Sequence, residues 1–519
     1  MLNLLFLKRI NQHFTKITET IMKVVFYFLF SFLLLTFSLK LKSQEMLGVT
    51  MGNYSGTTSI LVNPAMMTNT HNFLDVNILS GDIFLHNNSI YIHGSDYNLV
   101  DAIGGKELPE YGKENKNYLY YHNTDLKNMA VSLRLMGPSA MFQYGDHAFG
   151  LSTGARVFTT GNYMPWEMPV FGFESLKYKT LHNIQFNDNN TDLQANAWGE
   201  IGLSYAYNLI KYYDQKLTVG ITVKYLMGYS GAYVDVDNIE YMVQNDSVIN
   251  ITNLNAKVAY SLPIDYDNND FPNSGSNIRG KGFGFDIGAV YVKRKSIDNN
   301  RWNKICEQQY DDYIYRIGVS ILDIGSIKYK ENAQVHSFKN VNALWENYDD
   351  LAFDNLNQVV QEISNVFYND PNASLTGSSF KVGLPTALSI QADYHFSKNI
   401  YFGSFWIHPL KFNGHTLRRP ANISFTPRYE TKYLEFSLPI SLYEYQYPRV
   451  GASVRFYFLT IGTERLGSWI GTGDLSGMDF YFSVKFAFEK GKCRQQKNNA
   501  CYNGEYGYSP KQKRLFRKR

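Results

Sequence analysis

From Met478 to Phe488 the chain alternates with period two: Met478, Phe480, Phe482, Val484, Phe486 and Phe488 are apolar, while Asp479, Ser483 and Lys485 stand between them. Successive side chains of a strand point to opposite faces, so this segment offers one face to lipid and the other to water. The pattern recurs in segment after segment with no helical run to cover its apolar side. The expected fold is therefore all-β, a transmembrane antiparallel β-barrel of about 14 strands.

Alternation places strands near 73–84, 129–135, 149–157, 196–209, 216–230, 280–293, 311–330, 380–396, 399–412, 419–430, 432–442, 448–457, 458–466 and 478–488. Short connections (145–147, 211–215, 396–399, 430–431, 457–458) alternate with longer ones (87–127, 163–195, 231–279, 331–379). Short turns on one side and long loops on the other are the habit of outer-membrane barrels, with the short side in the periplasm. The 294–310 connection is a longer exception on the short side. Within 231–279 the alternating Tyr233 to Val236 and Val248 to Ile251 runs predict a hairpin above the membrane. Between Asn342 and Phe367, apolar residues spaced at three and four predict an amphipathic helix in the extracellular loop, ended before Pro371. It is expected to act as a lid on the loops, or as a gate or docking helix.

Composition fits this reading. Mean hydropathy is −0.29 although 16% of the chain is aromatic, because a barrel needs apolar groups only at alternate positions. Tyr (40) and Phe (35) far outnumber Trp (6), which suits aromatic girdles at the membrane interfaces. Three cysteines are too few for a disulfide scaffold; Cys493 and Cys501 are close enough in sequence to pair, leaving Cys306.

Lys23, the apolar run Val24 to Leu39 and Leu41-Lys42-Ser43 have the order of a secretory signal, so residues 1–43 are expected to be a signal peptide cleaved after Ser43, with Met22 an alternative start. The apolar run is shorter than the roughly 20 residues of a spanning helix. Residues 44–72 then form an N-terminal hatch, 73–488 the barrel and 489–519 a basic periplasmic tail. The tail carries +8 and residues 1–43 carry +5, so the net +4 of the whole leaves −9 for 44–488.

Opposite the lipid face, parity puts Arg134, Arg156, Lys224, Asp286, Arg316, Lys381, Asp393, Glu435, Arg455, Asp479 and Lys485 in the lumen. Charges of both signs there pair and fill a closed barrel, or a cationic surplus selects an anionic solute. Enzyme signals are weak. Gly280 to Gly284 superficially matches a phosphate loop but enters a strand, and Gly282, Gly284 and Gly288 better serve to bend it or admit a neighbour. Asp265 to Asp270 begins like a calcium loop, yet its sixth position is Asp and its twelfth is Ser276. No enzyme activity, catalytic residue, metal, cofactor or nucleic-acid partner is expected.

Leu384-Pro385-Thr386-Ala387, Ala392-Asp393-Tyr394, Pro427-Arg428-Tyr429-Glu430, Leu438-Pro439-Ile440, Pro448-Arg449-Val450-Gly451 and Ile461-Gly462-Thr463, in that order, resemble a Bacteroidota outer-membrane barrel family carried as a domain of unknown function. The resemblance runs from about Gly48 to Phe488. More distantly, Asn63-Pro64-Ala65 ahead of the first strand is similar to the long-chain fatty-acid transporter superfamily, which also includes a barrel of the type IX secretion system. That likeness implies a hatch in the N-terminal segment and a path for hydrophobic compounds. The expected function is passive transport of hydrophobic or amphipathic small molecules across the outer membrane of a Gram-negative bacterium, in contact with outer-membrane lipid. The alternative is a closed structural or secretion-associated barrel that docks envelope proteins through its loops or basic tail.

Overall fold

The computed structural model describes residues 46–489, apart from 108–118, 122, 213, 269–275, 296–312, 347–354 and 413. The expected signal peptide, the basic stretch beyond Glu489 and all three cysteines lie outside the described residues.

The barrel strands run β1 (Asn72–Asn87), β2 (Lys127–Met136 and Ser139–Tyr144), β3 (His147–Met164), β4 (Gln185–Lys211), β5 (Gln215–Asn245), β6 (Gly280–Arg294) and β7 (Tyr313–Tyr329). They continue as β8 (Phe380–Gly383 and Ala387–Ser397), β9 (Ile400–Pro409), β10 (Asn422–Glu430), β11 (Leu434–Ser437 and Ile440–Tyr443), β12 (Tyr447–Val450 and Ala452–Phe456), β13 (Leu459–Thr463) and β14 (Gly477–Glu489). Each pairs antiparallel with its neighbours in sequence, and β14 returns to β1 with Phe480 opposite Ile83 and Lys485 opposite Asn77. Closure of the ring leaves no sheet edge, the condition for spanning a bilayer with strands.

The wall is inverted relative to a water-soluble protein. On β4, Ile201, Leu203, Tyr205, Tyr207 and Leu209 are exposed, while Gly202, Ser204, Ala206 and Asn208 between them are buried. On β5, Val219, Ile221, Val223 and Tyr225 face out against buried Thr218 and Thr222. Lipid solvates the first set and the interior holds the second, which makes this a transmembrane barrel.

Strands β4 and β5 have 27 and 31 residues, against the roughly 10 that cross a bilayer. Their surplus, with Val248–Ser261 and Ala333–Trp345, builds a sheet beyond the membrane at the long-loop end. The hairpin expected from 231–279 is therefore present. The expected helix is shorter than its periodicity suggested. It spans Leu356–Tyr368, capped by Asn355 and ended by Asn369 in the left-handed region, whereas Asn342–Trp345 belongs to a strand paired with Ile249 to Ile251. Pairing with a ready sheet edge overrides a helical spacing of apolar residues. Ile363, Phe367 and Tyr368 pack on Phe338, Val341 and Trp345, so the helix covers this extension.

Candidate functional site

Residues 46–71 do not join the wall. They fold as two 3-10 turns, Gly56–Leu61 and Pro64–Asn69, and almost every one of them is buried. Asn63 caps the second turn, its Oδ1 accepting from Ala65 N at 3.0 Å, and Pro64 takes the first position, where no N–H is missed.

The wall provides a seat for this turn. Across adjacent strands, Ala148, Ala206, Gly220, Gly288, Ser320 and Ser389 stand in register and form a row of small inward residues. A Cβ added at Gly220 would lie 2.6 Å from Ala65 N, and one at Gly288 would lie 2.1 Å from Asn63 Oδ1. Gly288 thus admits a neighbour, one of the two roles its glycine implied. Beside the row and towards the short-turn end, Leu47, Met51, Val62, Ala65 and Met66 pack with Val290, Val292, Tyr401 and Phe405.

Two six-residue 3-10 turns leave many backbone groups without internal partners, and inward side chains of the wall take them up. Lys485 Nζ donates to Tyr54 O at 2.7 Å and also to Ser55 O. Arg316 donates to Asn69 O at 3.1 Å and to Met51 O. Lys216 Nζ reaches Thr68 O at 2.9 Å, and Ser320 Oγ reaches Val62 O at 2.6 Å. In the opposite sense Leu47 N donates to Glu464 and Asn53 N to Glu430, at 2.7 and 3.0 Å. Asn63 Nδ2 ties the turn to Gln391 Oε1 at 2.9 Å. The contacts lie in the half of the lumen nearest the short turns.

The cationic anchors are themselves braced. Asp393 accepts from Arg428 at 2.9 and 3.1 Å and from Tyr313 at 2.5 Å, and it pairs with Arg316 at 2.9 Å. Arg428 also reaches Glu430 at 2.8 Å, and Arg455 pairs with Glu435 at 2.9 Å.

Nearer the long loops a second ionic cluster centres on Asp323. Arg156 donates to its two oxygens at 2.9 and 3.0 Å, Lys224 at 2.6 Å, and Arg419 completes the set. Lys224 also holds Asp286 at 2.9 Å, and Glu200 lies 3.6 Å from Arg156. Arg134 stands in register between Arg156 and Asp82. Arg419 comes from the connection between β9 and β10, which dips inward: Gly383 N donates to His415 O at 2.8 Å and Leu417 N to Gly383 O at 3.1 Å. Next to this cluster, Phe158, Trp198, Leu226, Tyr233, Ile327, Tyr329, Phe380, Leu384 and Leu417 form an apolar layer.

The structure places Arg134, Arg156, Lys224, Asp286, Arg316, Asp393, Glu435, Arg455, Asp479 and Lys485 inside the barrel, as parity required. Lys381 is the exception. Phe380 and Val382 beside it are buried, and Lys381 is exposed on the outer face, opposite Lys328. The break at Leu384-Pro385-Thr386 shifts the alternation by one, so that Lys381 and Asp393, both odd, face opposite ways. Asp323 was hidden by a similar event. Leu322 and Asp323 together oppose Asp286, a bulge with Asp323 at φ 54°, and the bulge turns its carboxylate inward. Arg419 was missed because nothing in a loop sequence shows that it folds into the lumen.

Among the described residues no group of three or more His, Cys, Asp and Glu is arranged to hold a metal. A small cavity of about 90 Å³ near the mouth is lined by His86, Tyr443, Tyr447 and Arg418 among others.

The family of unknown function DUF5723 matches residues 64–464, from the second 3-10 turn to the end of β13. The chain belongs to this family. No curated protein matches it. Solved structures similar to this chain include the Ralstonia pickettii toluene transporter TbuX, at 9% identity over 84% of this chain and 95% of that one, with a TM-score of 0.37. The deltaS2S3 mutant of the TodX monoaromatic hydrocarbon channel has 10% identity over 84% and 95%, with a TM-score of 0.40. A Pseudomonas aeruginosa FadL homologue has 11% identity over 87% and 99%, with a TM-score of 0.38.

Proposed function

We propose that this DUF5723 barrel is a gated outer-membrane channel for hydrophobic or amphipathic small molecules, with residues 44–72 as its displaceable hatch. The observation that carries this reading is the separate identity of the filling segment. About eight strands enclose an interior that side chains alone can fill, whereas fourteen enclose a wider lumen that takes a separate piece of chain to stop. Here a stretch of chain joined to the wall at Asn72 is seated on a row of small residues and held through its backbone by reversible polar contacts.

The substrate class follows from the upper lumen. An apolar layer next to Arg134, Arg156, Lys224 and Arg419, which stand among Asp82, Glu200, Asp286 and Asp323, suits a solute with an apolar body and a polar head. Two gates then operate in series, the inward β9–β10 connection on the long-loop side and the hatch on the short-turn side. The long-loop side faces outward in this reading.

A second reading, a closed barrel that docks envelope proteins, is favoured by the Asp323 cluster, which joins β3, β5, β7 and the β9–β10 connection across the lumen. Uptake of a radiolabelled fatty acid and of an aromatic hydrocarbon by cells with and without the protein separates the two. Faster uptake with the chain, and faster still without 44–72, is expected; equal uptake by all cells would leave the closed barrel as the function.

A further inference from the structure

The shift of alternation in β8 that turns Lys381 outward also completes a pattern. Lys281 on β6 stands opposite Lys328 on β7, and Lys328 stands opposite Lys381 on β8. All three are exposed on the outer face, one ammonium on each of three adjacent strands. Side chains directly opposite in an antiparallel pair have Cβ atoms about 5 Å apart, and like charges so placed repel. Among the described residues none of the three makes an ion pair.

Their height on the wall gives the row its meaning. Towards the short-turn end from Lys281, the outward residues of β6 are Phe283, Phe285 and Ile287, exposed by 58%, 39% and 52%. On β7 the exposed outward residues below the bulge are Ile321, Val319 and Ile317. The lysines therefore sit at the upper border of the lipid-facing band, where acyl chains give way to headgroups. A lysine is costly in the hydrocarbon and nearly neutral at its border. The tetramethylene stems can lie along Phe283 and its neighbours while the ammonium groups reach the headgroup level.

We infer that Lys281, Lys328 and Lys381 form a binding site on the outer wall for the phosphate of an anionic lipid in the leaflet at the long-loop end. The phosphate supplies a counter-charge to three lysines that no described carboxylate pairs with, and the lipid's acyl chains lie against Phe283, Phe285 and Ile287. A row of fixed donors at headgroup height attracts anionic lipid by about 1 kcal/mol for each cation, roughly a fivefold change in affinity. The site is independent of whether the lumen opens.

Native mass spectrometry of the full-length protein, released from nanodiscs of phosphatidylglycerol or of phosphatidylcholine with the same acyl chains, measures the lipid retained. Wild-type protein should retain phosphatidylglycerol in preference. Lys328→Gln should weaken that retention roughly fivefold, and the combined Lys281→Gln, Lys328→Gln and Lys381→Gln variant should lose the preference. Lys293→Gln, at the short-turn end where Lys293 pairs with Asp214, should change nothing. Equal retention of both lipids by the wild type, or undiminished phosphatidylglycerol on Lys328→Gln, would overturn the assignment. The single variant decides the matter if the triple one does not fold.

Discussion

The two oxygens of Asp323 accept from the two terminal nitrogens of Arg156 at 2.9 and 3.0 Å, and this pair joins β7 to β3, four strands away around the wall. Lys224 and Arg419 converge on the same carboxylate. Asp323→Ala leaves three buried cations short of their shared counter-charge, and breaking such a pair from one side costs about 3–5 kcal/mol. Urea unfolding in lipid vesicles should show that loss. Arg156→Met combined with Asp323→Leu should recover part of it, because the two changes are coupled.

Gly288 faces Asn63 at a distance that leaves no room for a methyl group. Gly288→Ala should lift the Pro64–Asn69 turn while the strand, which does not depend on glycine there for its backbone angles, still pairs. With the natural cysteines replaced, a cysteine introduced at buried Met67 should then react with a water-soluble maleimide about tenfold faster, the factor that roughly 1.4 kcal/mol of lost seating gives. An unchanged rate would mean that the seat does not hold the hatch.

Outside the membrane-spanning region, the short helix Glu167–Glu174 brings Glu167 into a buried place at the long-loop end. Burial, and then the hydrogen bond with Asp188, push its carboxyl from an ordinary 4.5 up to about 7, and Tyr241 donates to it at 3.1 Å. The folded form therefore holds this proton more tightly than the unfolded one. Its contribution to docking of the 165–184 connection is complete below about 4.5 and is lost as pH rises through about 7. Limited proteolysis of that connection should accelerate across this interval, and Glu167→Gln should make the rate independent of pH there.

Much of this architecture is legible in the sequence because lipid outside and polar groups inside impose a strict period of two. All fourteen strands overlap the segments where the alternation of residues such as Ile201 to Leu209 or Phe480 to Phe488 put them, although β4 begins at Gln185 rather than 196, β5 runs to Asn245 rather than 230 and β2 to Tyr144 rather than 135. What parity cannot register is an added residue. The bulge at Leu322 and Asp323 concealed the centre of the upper cluster, and the break around Pro385 sent Lys381 to the wrong face. Helical spacing between Asn342 and Trp345 gave way to a strand because a sheet edge was available from Ile249 to Ile251. The roles of Gln391, Ser320 and Arg419 depend on partners hundreds of residues away or in a loop, and no local pattern carries them.

A channel requires that the lumen be a path stopped by removable parts. Planar-bilayer conductance tests this directly, comparing the full chain with one that lacks 44–72 and also carries Arg419→Ala, which frees the inward β9–β10 connection from Asp323. The full chain should be silent or nearly so, and the doubly opened form should show discrete openings. Silence from that form, with folding confirmed by heat-modifiable gel mobility, would contradict a channel and leave a filled structural barrel.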